Sequence, residues 1–159
     1  MKKRKIIIGS RGSKLALIYA KEARKKILSS AKDFKIEEVI IKEIITKGDQ
    51  VQNKRLSEIG GKALFSKNIE IELLEKRIDI AVHALKDMPA EETDGLSTNC
   101  FLERNDPREI LISKDNKHLK DLAPNSIVGT SSFRREFQIK KVRKDLECKL
   151  IRGNVDTRI

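Results

Sequence analysis

Lys5-Ile6-Ile7-Ile8-Gly9-Ser10-Arg11-Gly12-Ser13 is the stretch from which the fold is read. A short β-branched apolar run halted by Gly-Ser-Arg-Gly-Ser predicts a buried strand, Lys5–Ser10, ending in a polar corner, with Ser13 placed to cap a helix. From about Ser13 to Ser29, Leu15, Ile18, Ala20, Ala23 and Ile27 recur along one side, the pattern of an amphipathic helix. Ile36–Ile45 then predicts a second strand. Its apolar Val39, Ile40 and Ile41 would fill both faces, as in a sheet covered on both sides. Strand, helix and strand make a βαβ unit, so the chain reads as α/β, with parallel or mixed sheets and helices on both faces.

Thr46–Gly61 is polar and long enough for a functional loop. After it, Phe65, Ile69 and Leu73 predict a helix from about Lys62 to Arg77, followed by a strand at Ile78–Val82. The pattern is irregular past Pro89, and Glu103-Arg104-Asn105-Asp106-Pro107 has the composition of a linker. Residues 1–102 thus read as a first domain, 103–107 as a linker and 108–159 as the start of a second. In the second, strands are expected at Glu109–Ser113, Ile127–Gly129 and Leu146–Ile151. Helices are expected near His118–Leu122 and over Ser132–Lys144, and something new begins at Asn154–Ile159.

The chain has 159 residues, 35 Lys plus Arg against 24 Asp plus Glu, and 38% apolar residues, which fits a folded basic protein rather than a disordered one. No apolar run approaches the roughly 20 residues of a membrane span. Met1-Lys2-Lys3-Arg4-Lys5 has the charge of a signal-peptide start, yet the apolar stretch behind it stops at Gly9, short of an h-region of about 7–15 residues. A cytoplasmic location is expected. Cys100 and Cys148 form no CxxC and have no histidine pair beside them, so neither a disulfide framework nor a metal site is expected.

Positive charge is concentrated in residues 1–35, with 12 basic and 2 acidic side chains, and in 133–159, with 9 and 4. This could serve nucleic acid or a cleft that attracts small polyanions. One Tyr and five Phe offer few rings for base stacking, so nucleic acid is disfavoured. The runs Lys2–Lys5 and Lys140–Lys144 read as solvated faces.

In α/β sheets, ligands collect beyond the carboxyl ends of the strands. The four corners there are Ser10-Arg11-Gly12-Ser13, His83-Ala84-Leu85-Lys86-Asp87, Thr130-Ser131-Ser132-Phe133-Arg134-Arg135 and Arg152-Gly153-Asn154-Val155-Asp156-Thr157-Arg158. Guanidinium forks bind carboxylates bidentately, and Ser- or Thr-capped helix starts add N–H donors. Together they describe a carboxylate receptor. Asp87 differs in kind: an ionised carboxylate there can accept N–H bonds or steady a developing positive charge. Taken singly, Ser13, Thr130 and Ser132 fit ordinary helix caps, Arg134 and Arg135 surface charge, and His83 and His118 structural roles. Gly61-Lys62 lacks the Ser or Thr and the first glycine of a phosphate-binding loop.

Six ordered blocks resemble the porphobilinogen deaminase, or hydroxymethylbilane synthase, family. They are Gly9–Leu17, Ile59–Phe65, Asp79–Pro89, Glu103–Arg108, Val128–Arg135 and Leu150–Arg158, and they span nearly the whole chain. The resemblance implies a three-domain enzyme of tetrapyrrole (porphyrin and heme) biosynthesis whose first two domains are periplasmic-binding-protein-like, with the active site between them. Here the first domain would be nearly complete, lacking its return strands, and the second truncated. Such an enzyme is a transferase that joins four porphobilinogen units with release of ammonia on a covalently held dipyrromethane. It implies Asp87 as the catalytic carboxylate. Lys86, Thr130, Ser132, Arg134 and Arg135 would hold the cofactor's acid arms, and Arg11, Ser13, Arg152 and Arg158 the incoming substrate or growing polypyrrole chain. Thr46–Gly61, with Lys62 beside it, would be the family's mobile loop.

Two positions depart from the family pattern. Ala84 stands where Ser is usual, and Glu58 where Lys is common. The family's attachment cysteine belongs to a third domain, and neither Cys100 nor Cys148 has a matching context. The chain therefore reads as an N-terminal half, inactive alone and poorly soluble, from a truncated gene, a split gene or a partial record, with the C-terminal half as its partner if the gene is split; the full-length family is expected to be monomeric. The alternative is a non-catalytic module that binds a carboxylated ligand.

Overall fold

The computed structural model describes residues 4–46 and 63–159, and the chain divides into two compact units, Met1–Leu102 and Glu103–Ile159. The predicted loop, apart from Thr46, and Lys62 lie outside the described residues, as does the side chain of Phe65.

In the first unit, β1 (Arg4–Arg11), α1 (Lys14–Ser29), the short α2 (Ala31–Phe34), β2 (Ile36–Ile44), α3 (Ala63–Leu74) and β3 (Ile80–Ala81) follow in order. All three strands are parallel, and β1 lies between β2 and β3. The isoleucine run on β1 explains why. Ile6 and Ile8 face one side, where they pack with Val39, Ala20 and Ala23 under α1. Ile7 faces the other, beside Ile44, Ile69 and Ile78 under α3. A strand buried on both faces has to be continuous in apolar residues, and β1 is.

Some details differ from expectation. Leu15 and Ile18 are about half exposed, and the core seam of α1 is carried by Ala20, Ala23 and Ile27 instead. Small residues let the helix approach the sheet closely, which leaves the bulkier residues of the first turns at its margin. Ile40 is likewise partly exposed, although Val39 is buried. The third strand shrinks to two residues, but its approach is pinned: Asp79 accepts the Ile7 N–H through Oδ2 at 2.7 Å and donates its own N–H to the Ile7 carbonyl at 2.9 Å.

The second unit contains β4 (Ile127–Gly129), α4 (Phe133–Val142), β5 (Glu147–Lys149) and a terminal turn of helix, α5 (Val155–Arg158). β4 and β5 are parallel neighbours, so this is again a βαβ unit. The expected strand at Glu109–Ser113 is not formed, and Ile110 and Ile112 are exposed. Apolar β-branched residues favour a strand only where a neighbouring strand accepts their N–H groups, and none among the described residues does so here. The expected helix near His118–Leu122 is a single 3₁₀ turn, Leu119–Asp121.

The run Lys140–Lys144 is not simply solvated. Arg143 donates through Nη1 to the carbonyls of Leu119 and Lys120 at 3.1 and 3.0 Å, and through Nη2 to that of Leu122 at 3.1 Å. It also pairs with Asp145 at 2.8 and 2.6 Å, which holds that carboxyl down at about 2. Lys140 reaches the Leu146 carbonyl. One guanidinium thus ties the 3₁₀ turn to the end of α4, because its five N–H groups can satisfy several carbonyls and a carboxylate at once.

Candidate functional site

Parallel pairing brings the predicted corners together within each unit. In the first, β1 and β3 end at the same sheet edge, where the Val82 N–H donates to the Gly9 carbonyl at 3.0 Å. The Ser10–Ser13 corner and the 3₁₀ turn Leu85–Asp87 therefore leave from neighbouring strand ends. Ser13 caps α1, its Oγ accepting the Ala16 N–H at 3.4 Å. The arrangement leaves the hydroxyl's own proton available for donation. Arg11 and Asp87 are half-buried and Lys86 is exposed. Among the described residues the Asp87 carboxylate has no ion-pair partner, whereas its backbone N–H is used within the turn, donated to the Ala84 carbonyl at 2.9 Å.

Glu43, which the sequence offered no reason to single out, sits at the same edge. A Cβ on Gly12 would meet Glu43 Oε2 at 2.8 Å, so the glycine lets that carboxylate lie against the corner backbone. Its partner position follows from register, Ser10 pairing with Glu43 across β1 and β2. A cavity of about 200 Å³ lies next to the Asp87 turn, bounded by Leu85 and Met88 and by Glu70, Glu91 and Glu92. Three carboxylates give it the wrong sign to receive an anion.

In the second unit, β4 and β5 also end side by side, with the Thr130 N–H donated to the Lys149 carbonyl at 2.9 Å. Thr130 is buried and its Oγ1 accepts the Ser132 N–H at 3.2 Å, while Ser132 Oγ accepts the Arg135 N–H at 3.4 Å. Ser132 therefore caps the start of α4, while Thr130 holds the N–H of that cap residue instead of capping the helix itself, and each hydroxyl still has a proton to give. Arg134 and Arg135 share the carboxylate of Glu109. Arg134 donates to Oε1 and Arg135 Nε donates to Oε2 at 2.7 Å, and the hydrogen bond from Arg134 holds the Glu109 carboxyl below the usual carboxylate range.

Arg158 donates through Nε to the Gly153 carbonyl at 2.8 Å. Burial, and then the neighbouring charges of Arg135 and Arg152, lower its pKa. Three predicted guanidiniums are thus close enough to feel one another. Gathering like charges costs free energy, which an anion placed there would offset.

Glu109 escaped sequence reading because it lies 25 residues from Arg134, and no local periodicity links them. Among the described residues, no group of three or more His, Cys, Asp and Glu side chains is placed to hold a metal, and no helix is long and apolar enough to cross a membrane. Cys100 is exposed and Cys148 partly buried, the thiol of the latter pushed up chiefly by burial.

Residues 6–159 match the family model described as porphobilinogen deaminase, dipyromethane cofactor binding domain. The chain is 48% identical over 156 residues to the porphobilinogen deaminase of Staphylococcus carnosus (strain TM300), covering 98% of this chain and 50% of that protein. It is 49% identical, with the same coverage, to those of Bacillus mycoides (strain KBAB4) and Geobacillus kaustophilus (strain HTA426). The chain spans about half the length of the curated relatives it matches. With an α/β scaffold of parallel strands, capped helix starts and arginines at the strand ends, the chain belongs to the porphobilinogen deaminase family.

Proposed function

We propose that this chain supplies the catalytic carboxylate and the acid-arm receptors of a hydroxymethylbilane synthase, which joins four porphobilinogen units head to tail with loss of ammonia. The two units are read as the first two, periplasmic-binding-protein-like domains, the first nearly complete and the second partial. A C-terminal portion of the same enzyme would complete them and carry the cofactor's cysteine. The observation that carries the reading is the convergence of Arg135, Arg152 and Arg158 at the ends of β4 and β5, beside the capped start of α4.

The residues fit the cofactor's chemistry. Dipyrromethane bears acetate and propionate arms, and Arg134 and Arg135 already hold a carboxylate, that of Glu109, one oxygen each. When bound, it supplies the pyrrole end to which units are added. Lys86, Thr130, Ser132, Arg134 and Arg135 would hold its arms, and Arg11, Ser13, Arg152 and Arg158 would receive the arms of the incoming unit. Asp87, without an ion-pair partner among the described residues, is left to accept pyrrole N–H bonds and to oppose the positive charge that grows as the amine leaves.

The test is reconstitution. The 159-residue chain, mixed with the C-terminal half of the Staphylococcus carnosus relative, should consume porphobilinogen, and Asp87→Ala should cut turnover by about 10²–10³-fold, the usual loss for a group that stabilises transition-state charge. Turnover untouched by Asp87→Ala would refute the assignment. Porphobilinogen binding that survives the substitution, with no turnover in any mixture, would favour the non-catalytic carboxylate binder.

A further inference from the structure

Glu109 belongs to a segment without regular secondary structure, and the side chains of Ile110 and Ile112 just after it are exposed. Its carboxylate nevertheless meets Arg134 and Arg135 at the start of α4 with one oxygen for each guanidinium, the geometry a ligand's carboxylate would need at that place. The surroundings are cationic, since Arg158 senses Arg135 and Arg152. Without a counter-charge, adjacent guanidiniums on long side chains repel and splay, and a ligand would have to gather them again on binding.

We propose that Glu109 is a built-in stand-in for the ligand's carboxylate. It keeps Arg134 and Arg135 gathered before binding and gives way when an acid arm arrives, so that it sets the affinity of this corner. The proposal rests on the reading of that corner as a carboxylate site. Its energetics suit displacement. The Glu109, Arg134 and Arg135 side chains are 38%, 60% and 44% exposed, and ion pairs so open to water contribute only about 0.2–1 kcal/mol. Release of Glu109 breaks no strand ladder and uncovers little apolar surface, because the segment around it has neither.

Glu109→Gln in the full 159-residue chain tests this by calorimetric titration with glutarate, a plain dicarboxylate. Removing the competitor should tighten glutarate binding by between about 1.4-fold and about fivefold, the range to which the free energy of an exposed ion pair converts. In the unaltered chain, the Arg135 Nε–H nuclear magnetic resonance signal should move on saturation with glutarate, a readout that needs no variant to fold. A Glu109→Gln chain that melts earlier yet binds glutarate no tighter would show a purely structural pair and overturn the proposal, as would an Arg135 signal that stays fixed. Porphobilinogen titrated in parallel separates the two readings: tighter glutarate binding with no porphobilinogen binding keeps the stand-in and defeats the tetrapyrrole assignment.

Discussion

The backbone N–H of Val82 donates to the carbonyl of Gly9 at 3.0 Å, and that bond sets the end of β3 beside the end of β1. Because the two strands run parallel, the Arg11 corner and the Asp87 turn emerge at one edge of the sheet. Thr130 and Lys149 repeat the device in the second unit, where Arg134, Arg135, Arg152 and Arg158 follow the two strand ends.

Gly9 should tolerate no side chain. A Cβ there would lie 2.3 Å from Ile78 Cδ1 and 2.9 Å from Ile44 Cδ1, and both isoleucines are buried, so neither can swing into solvent. Gly9→Ala is expected to destabilise the chain by about 1–3 kcal/mol, the usual cost of overpacking. Chemical denaturation of the two proteins checks it, and an unchanged midpoint would contradict the packing described here.

Glu72 should make the fold acid-sensitive. Its carboxylate accepts from Lys42 Nζ at 2.6 Å and Arg77 Nε at 2.9 Å, tying α3 to β2, and the Arg77 and then Lys42 hydrogen bonds lower its pKa from 4.5 to about 2. A depressed folded-state value means that the stabilisation is complete above about pH 4.5 and is lost as pH falls toward 2. Glu72→Gln should melt earlier than the parent at pH 7, and the gap should close as pH falls through about 2. Parallel melting curves at all pH values would rule the linkage out.

Arg143→Lys should loosen the second unit. An ammonium cannot reach three carbonyls and both oxygens of Asp145 together, so the half-buried Leu119 and Leu122 carbonyls can lose their donor. A loss of about 1–3 kcal/mol is expected. Hydrogen exchange should show it first at the amides of Leu146 and Glu147; protection there equal to the parent's would count against the clamp.

Arg158→Gln should separate stability from binding. Arg158 is exposed but close enough to Arg135 and Arg152 to feel their charge, so its removal relieves repulsion, while glutamine can still donate toward Gly153. Thermal stability should hold or rise slightly, and glutarate affinity should drop by roughly tenfold, as for loss of one charge-assisted hydrogen bond. The reverse pattern, lower stability with unchanged affinity, would make Arg158 a structural residue.

Elements whose information is local were legible in advance. The isoleucines of β1, the Ser13 and Ser132 caps and the β4–α4–β5 order are written in neighbouring residues. The Glu109–Ser113 strand was misread for the converse reason, since β-branched residues indicate a strand but cannot provide its partner.

By itself, then, the order of residues determined the α/β class, the strand ends at which charge collects, and the family to which those blocks correspond. Tertiary structure alone decided which charges meet: Glu109 with Arg134 and Arg135, Arg143 with the Leu119–Leu122 carbonyls, and Arg158 with Arg135 and Arg152. The physical reason is range. Periodicity and capping act over one or two turns of chain, whereas ion pairing depends on distance in space, which the packing of helices and sheets sets only after folding.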